Sequence, residues 1–313
     1  MKIVAQVVLD KLSHVKTVVN KLHEIDSVYR NFELEILAGE PNTVVKCRES
    51  KATFEFDFAK VYWNPRLSKF SSISILLIRI FSSGTERERI VNILHHNDLV
   101  FDVCAGVGPF VVPALMLGCT VYANDINPES VKWMTSNLKA NKPKKSSNEY
   151  HVFNLDGREF LQTVAFPRIE NYQKEIANDQ EKRWCLSDNK IVILMNLPAI
   201  AITFLDVVST WLSKIDQPMF VPIEIYCYTF SKADNREEDI RNQLKSILPN
   251  VNDDQITCRF VRQVAPNKDM MCVRIKLFDT KTNDEIKSTT DKTKIEEKEE
   301  IPAKRFKQDS SSE

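Results

Sequence analysis

Two glycines, one carboxylate and one amide carry the first chemical signal. The segment Phe101-Asp-Val-Cys-Ala-Gly-Val-Gly-Pro-Phe110 follows an apolar run and holds Gly106 and Gly108, which permit a tight turn and close backbone approach to a ligand. Nineteen residues past Gly106 stands Asp125, in Asn124-Asp-Ile-Asn-Pro128. A carboxylate there suits ribose hydroxyls, which donate to it. The loop is G-x-G, without the third glycine of a dinucleotide fingerprint, and Pro109 removes a backbone N–H at the start of the next helix. A pyrophosphate would want that donor. A nucleoside without phosphate fits better, which points to S-adenosylmethionine (SAM).

Two further strand ends would face the same crevice. Asp156-Gly157 closes His151-Val-Phe-Asn-Leu-Asp-Gly157, where a carboxylate can accept from the adenine amine. Asn196 stands in Ile191-Val-Ile-Leu-Met-Asn-Leu-Pro198, where an amide and a carbonyl can hold an acceptor nitrogen. Read alone, Asp156-Gly157 is equally a turn; Asn196-Leu-Pro198 could be a loop proline with an Asn turn, but the functional reading is favoured because the strand ends face the same crevice. Thr85-Glu-Arg-Glu88 reads locally as a capping box, with Thr85 capping and Glu88 reciprocating.

The elements that must position these residues alternate. Strands are expected at Leu99–Val103, Thr120–Asn124, His151–Leu155, Ile191–Met195, Val221–Tyr228, Ile256–Val264 and Met270–Phe278, with helices between most of them. That order implies an α/β fold with a mostly parallel sheet covered on both faces. The short Ala265–Asp269 connection forces the last two strands into an antiparallel hairpin. Residues 1–67 read as a smaller α/β module with strands at Thr17–Leu22, Phe32–Ala38, Thr43–Glu49 and Ala52–Phe58. Residues 168–189 read as a polar surface loop, and 281–313 as a disordered charged tail in which Pro302–Lys307 could serve nuclear import.

Composition narrows the classes. The 313 residues are 43% apolar, which excludes disorder throughout, and Lys+Arg and Asp+Glu are both 43, which argues against a generic polyanion binder. Seven cysteines without a CxxC pair, and five histidines without a ligand pattern, argue for a reducing compartment and against a metal site. No apolar run is long enough for a membrane span, and no signal peptide is read at the N-terminus.

Together the motifs resemble the archaeal and eukaryotic tRNA (guanine37-N1)-methyltransferases. The resemblance runs from residue 1 to about 280 and rests on Tyr29-Arg30 with Leu37-Ala-Gly-Glu40, Val61-Tyr-Trp-Asn-Pro-Arg-Leu67, Thr85–Ile90, Asp102–Phe110, Asn124–Pro128, Asp156-Gly157, Met195–Pro198 and Val264–Asp269. It implies a doubly wound class I SAM-methyltransferase sheet with a smaller N-terminal α/β domain. It implies SAM as cofactor, tRNA with guanine 37 as substrate, no metal, no membrane association and a monomer. Cytoplasm, nucleus and mitochondrial matrix all fit the family. By the same resemblance Glu86 is the base at guanine N1, Arg30 stabilises charge on O6, Asn196 holds the target base, and Tyr62 lies near the flipped guanine. Arg87, Asp125, Ile126, Asp156, Gly157 and Asn196 fall on SAM-contacting positions, joined by Asp102, Gly106 and Gly108 of the first loop.

The pattern departs in three places, one of them the polar stretch 168–189. The family carries a further N-terminal domain that contacts the tRNA body, so the chain is expected to start inside the second domain. Ser68 and Thr85 should be nearly adjacent, so Lys69–Gly84 reads as an insertion, either a gene-model artefact or a real loop. The expected organisation is 1–68, 69–84, 85–280 and 281–313. Two other readings remain: a wybutosine-pathway aminocarboxypropyl transferase of the same architecture, and a tRNA-binding homologue without catalysis.

Overall fold

Seven strands form one sheet in the order β10-β11-β9-β8-β5-β6-β7 in a computed structural model that describes residues 1–13, 15–22, 34–49, 51–63, 86–143, 149–179 and 189–278. The strands are β5 (Leu99–Asp102), β6 (Thr120–Asn124), β7 (Tyr150–Phe153), β8 (Ile191–Met195), β9 (Ile223–Ser231), β10 (Ile256–Ala265) and β11 (Lys268–Leu277). The five from β7 to β9 run parallel, and β11 and β10 join antiparallel at one edge. The hairpin expected from the short connection is therefore present.

Strand alternation sorts the core into two layers. Phe101, Ile191, Ile193 and Met195 face one side of the sheet, against α5 (Gly157–Phe160), α6 (Phe166–Asn178), α7 (Leu205–Leu212) and α8 (Arg236–Ile247). Val100, Val192 and Leu194 face the other, against α2 (Glu86–Asn92), α3 (Val111–Leu117) and α4 (Pro128–Asn141). Helices on both faces make the sheet doubly wound.

The N-terminal segment contributes α1 (Lys2–Lys11) and two separate two-stranded sheets, β1 (Thr17–Lys21) with β2 (Leu34–Gly39) and β3 (Val44–Glu49) with β4 (Ala52–Asp57). The second sheet joins the main core: Phe54, Phe56, Val61 and Trp63 are buried with Phe110, Met134 and Leu138. Asn137 and Asn141 of α4 fix it there, accepting from the amides of Glu55 and Thr53 at 2.9 Å each.

Residues 168–178 correct the sequence reading. They belong to α6, which continues from α5 through a π-turn at Leu161–Ala165. Phe166, Ile169, Gln173 and Ile176 are its buried face at helical spacing, and the exposed charges between them disguised that stripe. Thr85, the expected insertion Lys69–Gly84, the rest of the expected 168–189 loop from 180 to 188, and the expected tail 281–313 lie outside the described residues.

Candidate active site

The carboxyl ends of β5, β6, β7 and β8 open into one cavity of about 270 Å³. Ligands of open α/β sheets bind at this end, because the strand-to-helix loops splay apart there. Gly106, Asp125, Ile126, Asp156, Gly157, Asn196, Arg87 and Tyr62 all line it, so eight residues named from the sequence converge on one space.

The first loop needs its glycines for conformation. Gly106 has φ 57° and Gly108 φ 96°, both left-handed. A Cβ at Gly106 would meet nothing within 4 Å, so open space borders its bare backbone. A Cβ at Gly108 would come within 3.0 Å of Val112 Cγ2, so packing as well as φ requires that glycine, which itself lies outside the cavity lining. Helix α3 starts at Val111 with Phe110 at its cap, so Pro109 precedes the helix rather than opening its first turn.

Asp125 holds this loop from the next strand. Its Oδ2 accepts from Gly106 N at 2.8 Å and its Oδ1 from Asn127 N at 2.9 Å. Burial pushes its carboxyl above the ordinary range, while those amides and Ser130 oppose the shift. The carboxylate as a whole keeps acceptor capacity beyond these bonds. Asp156 is exposed and caps α5, accepting from Arg158 N at 2.8 Å. Gly157 is required by crowding: a Cβ would lie 2.8 Å from Phe204 Cε2 and 3.0 Å from Val103 Cγ1.

Asn196 follows β8, with its side chain free of hydrogen bonds among the described residues. Tyr62 is 43% exposed at the cavity edge. Arg87 is buried: its guanidinium lies 4.4 Å from the Trp63 ring centroid and its Nη1 donates to Glu49 Oε2 at 2.7 Å.

Besides Gly108, two expected site residues lie outside the lining, Glu86 and Asp102. Glu86 Oε1 accepts from Arg89 Nη2 at 2.6 Å and from the Tyr228 hydroxyl at 3.0 Å, and its Oε2 pairs with Arg259. As the first residue of α2, Glu86 faces β9 and β10, whose arginine and tyrosine satisfy the carboxylate there. Asp102 is also outside the lining. It lies fully buried beneath the first loop, where its Oδ1 accepts from Cys104 N at 3.3 Å. Burial pushes its carboxyl up to about 8. Arg30 lies outside the described residues.

Other positioning residues escaped the sequence reading. Buried Asn124 donates to the carbonyls of Val103 and Leu155 at 3.0 Å each and accepts from Leu155 N at 2.9 Å, tying three strand ends together. Its place beside Asp125 was the available signal. Arg158 donates to Thr203 O at 2.8 Å and lies 5.0 Å over the Phe204 ring, seating that ring on Gly157. Phe230, Met270 and Arg262 complete the far wall. Among the described residues no His/Cys/Asp/Glu cluster could hold a metal ion, and no helix is long and apolar enough to cross a membrane.

Comparisons agree with this architecture. Residues 43–173 match the TRM5/TYW2 methyltransferase domain, and residues 1–43 match the TYW2 N-terminal domain. A protein of Xenopus tropicalis named tRNA (guanine(37)-N(1))-methyltransferase is 43% identical over 88% of the chain and 50% of its own length. A human protein of the same name is 41% identical over 88% of the chain and 49% of its own length. The chain thus spans about half the length of these curated relatives. A solved complex titled as that of aTrm5 and tRNALeu is 25% identical, with a TM-score of 0.60 over 88% of the chain and 65% of the solved one. With its doubly wound sheet, this cavity and these matches, residues 43–173 of the chain are identified as a TRM5/TYW2 methyltransferase domain.

Proposed function

We propose that the chain transfers the methyl group of SAM to N1 of guanine 37 in tRNA. The observation that carries the reading is the ordering of the cavity wall. Asp125, Asp156 and Gly157 stand at one end, the Gly106 backbone in the middle and Asn196 toward the other, and Tyr62 shares the lining. The residues present fit the cofactor: open space borders Gly106, and the Asp125 carboxylate retains lone pairs suited to ribose hydroxyls. When bound, SAM supplies an electrophilic methyl on a sulfonium. Asp125, Asp156 and Ile126 would hold its nucleoside, and Arg87 lies where a carboxylate could meet a guanidinium. The names of the matched relatives and the tRNA complex of the solved neighbour support the nucleic-acid substrate.

The chain's own groups then do three things. Asn196 offers an amide that can donate to and accept from the guanine edge, fixing N1 in line for transfer. Tyr62 offers an exposed ring against which a flipped base stacks. Glu86 is the proposed base for the N1 proton. In the described state it is engaged by Arg89, Arg259 and Tyr228, so the reading requires its carboxylate to turn from them toward the cavity when RNA is bound. Arg30 is the proposed partner of the guanine O6. We place the reaction in the cytoplasm and nucleus, or in the mitochondrial matrix, and read the protein as a monomer.

The test is transfer of labelled methyl from SAM to tRNA bearing guanine 37 and to its adenine-37 counterpart. Label in guanine-37 tRNA alone supports the reading; no label in either overturns it. The TYW2 N-terminal match over residues 1–43 favours one second reading, transfer of the aminocarboxypropyl group. SAM labelled in its carboxyl carbon separates the two, because only the second reaction leaves that label on the RNA.

A further inference from the structure

The far wall of the cavity is a rung across three strands. Arg262 of β10 pairs with Met270 of β11, which pairs with Phe230 of β9. All three line the cavity, beyond Asn196 as seen from the nucleoside end. The β10 register shifts between Phe260 and Arg262, a bulge of the kind that re-aims a side chain beside a site. Around the rung stand further cations. Lys268 Nζ lies 4.3 Å over the Phe230 ring, and the Arg259 side chain, paired with Glu86, is 47% exposed. Phe260, 52% exposed on the edge strand, pairs with Met271 of the opposite core layer and so faces the other side of the sheet. Charges on an edge strand serve to discourage strand pairing. That account does not explain an arginine turned into the cavity wall. A cation beside an aromatic ring is what single-stranded RNA requires, the cation for a phosphate and the ring for an unstacked base.

We propose that the β10–β11 hairpin is the RNA-docking wall of this site, with Arg262 taking a backbone phosphate next to the modified nucleotide. The proposal rests on the tRNA reading above and adds the surface that receives the loop.

The test is binding of an anticodon stem-loop RNA carrying guanine 37, followed by anisotropy across a salt series, with S-adenosylhomocysteine binding measured in parallel. Arg262→Gln should weaken RNA binding several-fold and lower the slope of log K against log salt by about one, while Arg262→Lys keeps the slope. Phe260→Ala, on the opposite face of the same strand, should leave affinity and slope unchanged. S-adenosylhomocysteine affinity should hold in all three. If the unaltered chain binds RNA and Arg262→Gln matches it in affinity and slope, the docking wall is wrong and the methyl-transfer reading stands. If Arg262→Gln loses S-adenosylhomocysteine, Arg262 belongs to the cofactor and the proposal fails. If the unaltered chain binds no RNA, the tRNA reading falls and takes the docking wall with it.

Discussion

The hydroxyl of Tyr228 donates to Glu86 Oε1 at 3.0 Å, joining the first turn of α2 to the middle of β9. Both residues are buried, and Arg89 and Arg259 close the remaining sides of the carboxylate. Burial and the adjacent carboxylate push the Tyr228 hydroxyl well above its ordinary range, so it stays a donor at physiological pH. If Glu86 is the base, Glu86→Gln should lower single-turnover methyl transfer by about 10²-fold or more. S-adenosylhomocysteine binding should be retained. Tyr228→Phe should have a smaller effect on rate, since it removes one of the carboxylate's partners and not the carboxylate. Equal rates for Glu86→Gln and the unaltered chain would rule this base out.

The Arg87–Glu49 pair links α2 to β3 across 38 positions with both side chains almost wholly buried. Such a pair is costly to break singly, because one buried charge is stranded. Glu49→Gln should lower unfolding stability by about 3 kcal/mol in urea titration. Arg87→Met together with Glu49→Gln should recover part of that loss, through the Trp63 face that the guanidinium now covers. A double variant no better than the single would show that the Trp63 contact, not the charge pairing, holds this corner.

Sequence pattern reached the strands, those of the N-terminal segment included, more readily than helix α6, and the reason is physical. Buried parallel strands are continuous apolar runs such as Ile191–Met195, and their ends carry the loop chemistry, so strand and site were legible together. The α6 helix was missed because Ile169 and Ile176 are spaced among charges, and only the helical period reveals their common face. Glu86 shows a different limit. Its motif identifies the residue, but the side chain's direction depends on Tyr228 and Arg259, which lie 142 and 173 positions away. Likewise Gly157 reads as a turn until Phe204, brought over by α7, is seen to require it.

Asp102 links pH to stability. Its carboxyl, ordinarily at 3.8, is pushed up to about 8, chiefly by burial and further by Asp125. The folded chain therefore holds a proton there that the unfolded chain has lost, across the window from about pH 4 to pH 8. Unfolding releases that proton, so stability falls as pH rises through the window, by up to about 1.4 kcal/mol per pH unit from this group. Asp102→Asn keeps a neutral group of similar shape. It should flatten the decline and make the protein more stable than the unaltered chain near pH 8. Parallel stability–pH curves for the two proteins would exclude this role for Asp102.

Gly157 offers the sharpest steric prediction at the nucleoside end. A methyl group there meets Phe204 Cε2 at 2.8 Å and Val103 Cγ1 at 3.0 Å, and Arg158 restrains Phe204 from moving away. Overpacking of this kind costs about 1–3 kcal/mol. Gly157→Ala should therefore reduce stability, and it should weaken S-adenosylhomocysteine binding because the displaced ring borders the same cavity. Phe204→Leu in the Gly157→Ala background removes the clashing ring edge and should restore much of the stability. Calorimetric binding decides whether affinity returns with it. Recovery of both would make Gly157 a packing requirement that shapes the pocket. Recovery of stability alone would mean that the Phe204 ring itself lies against the bound nucleoside.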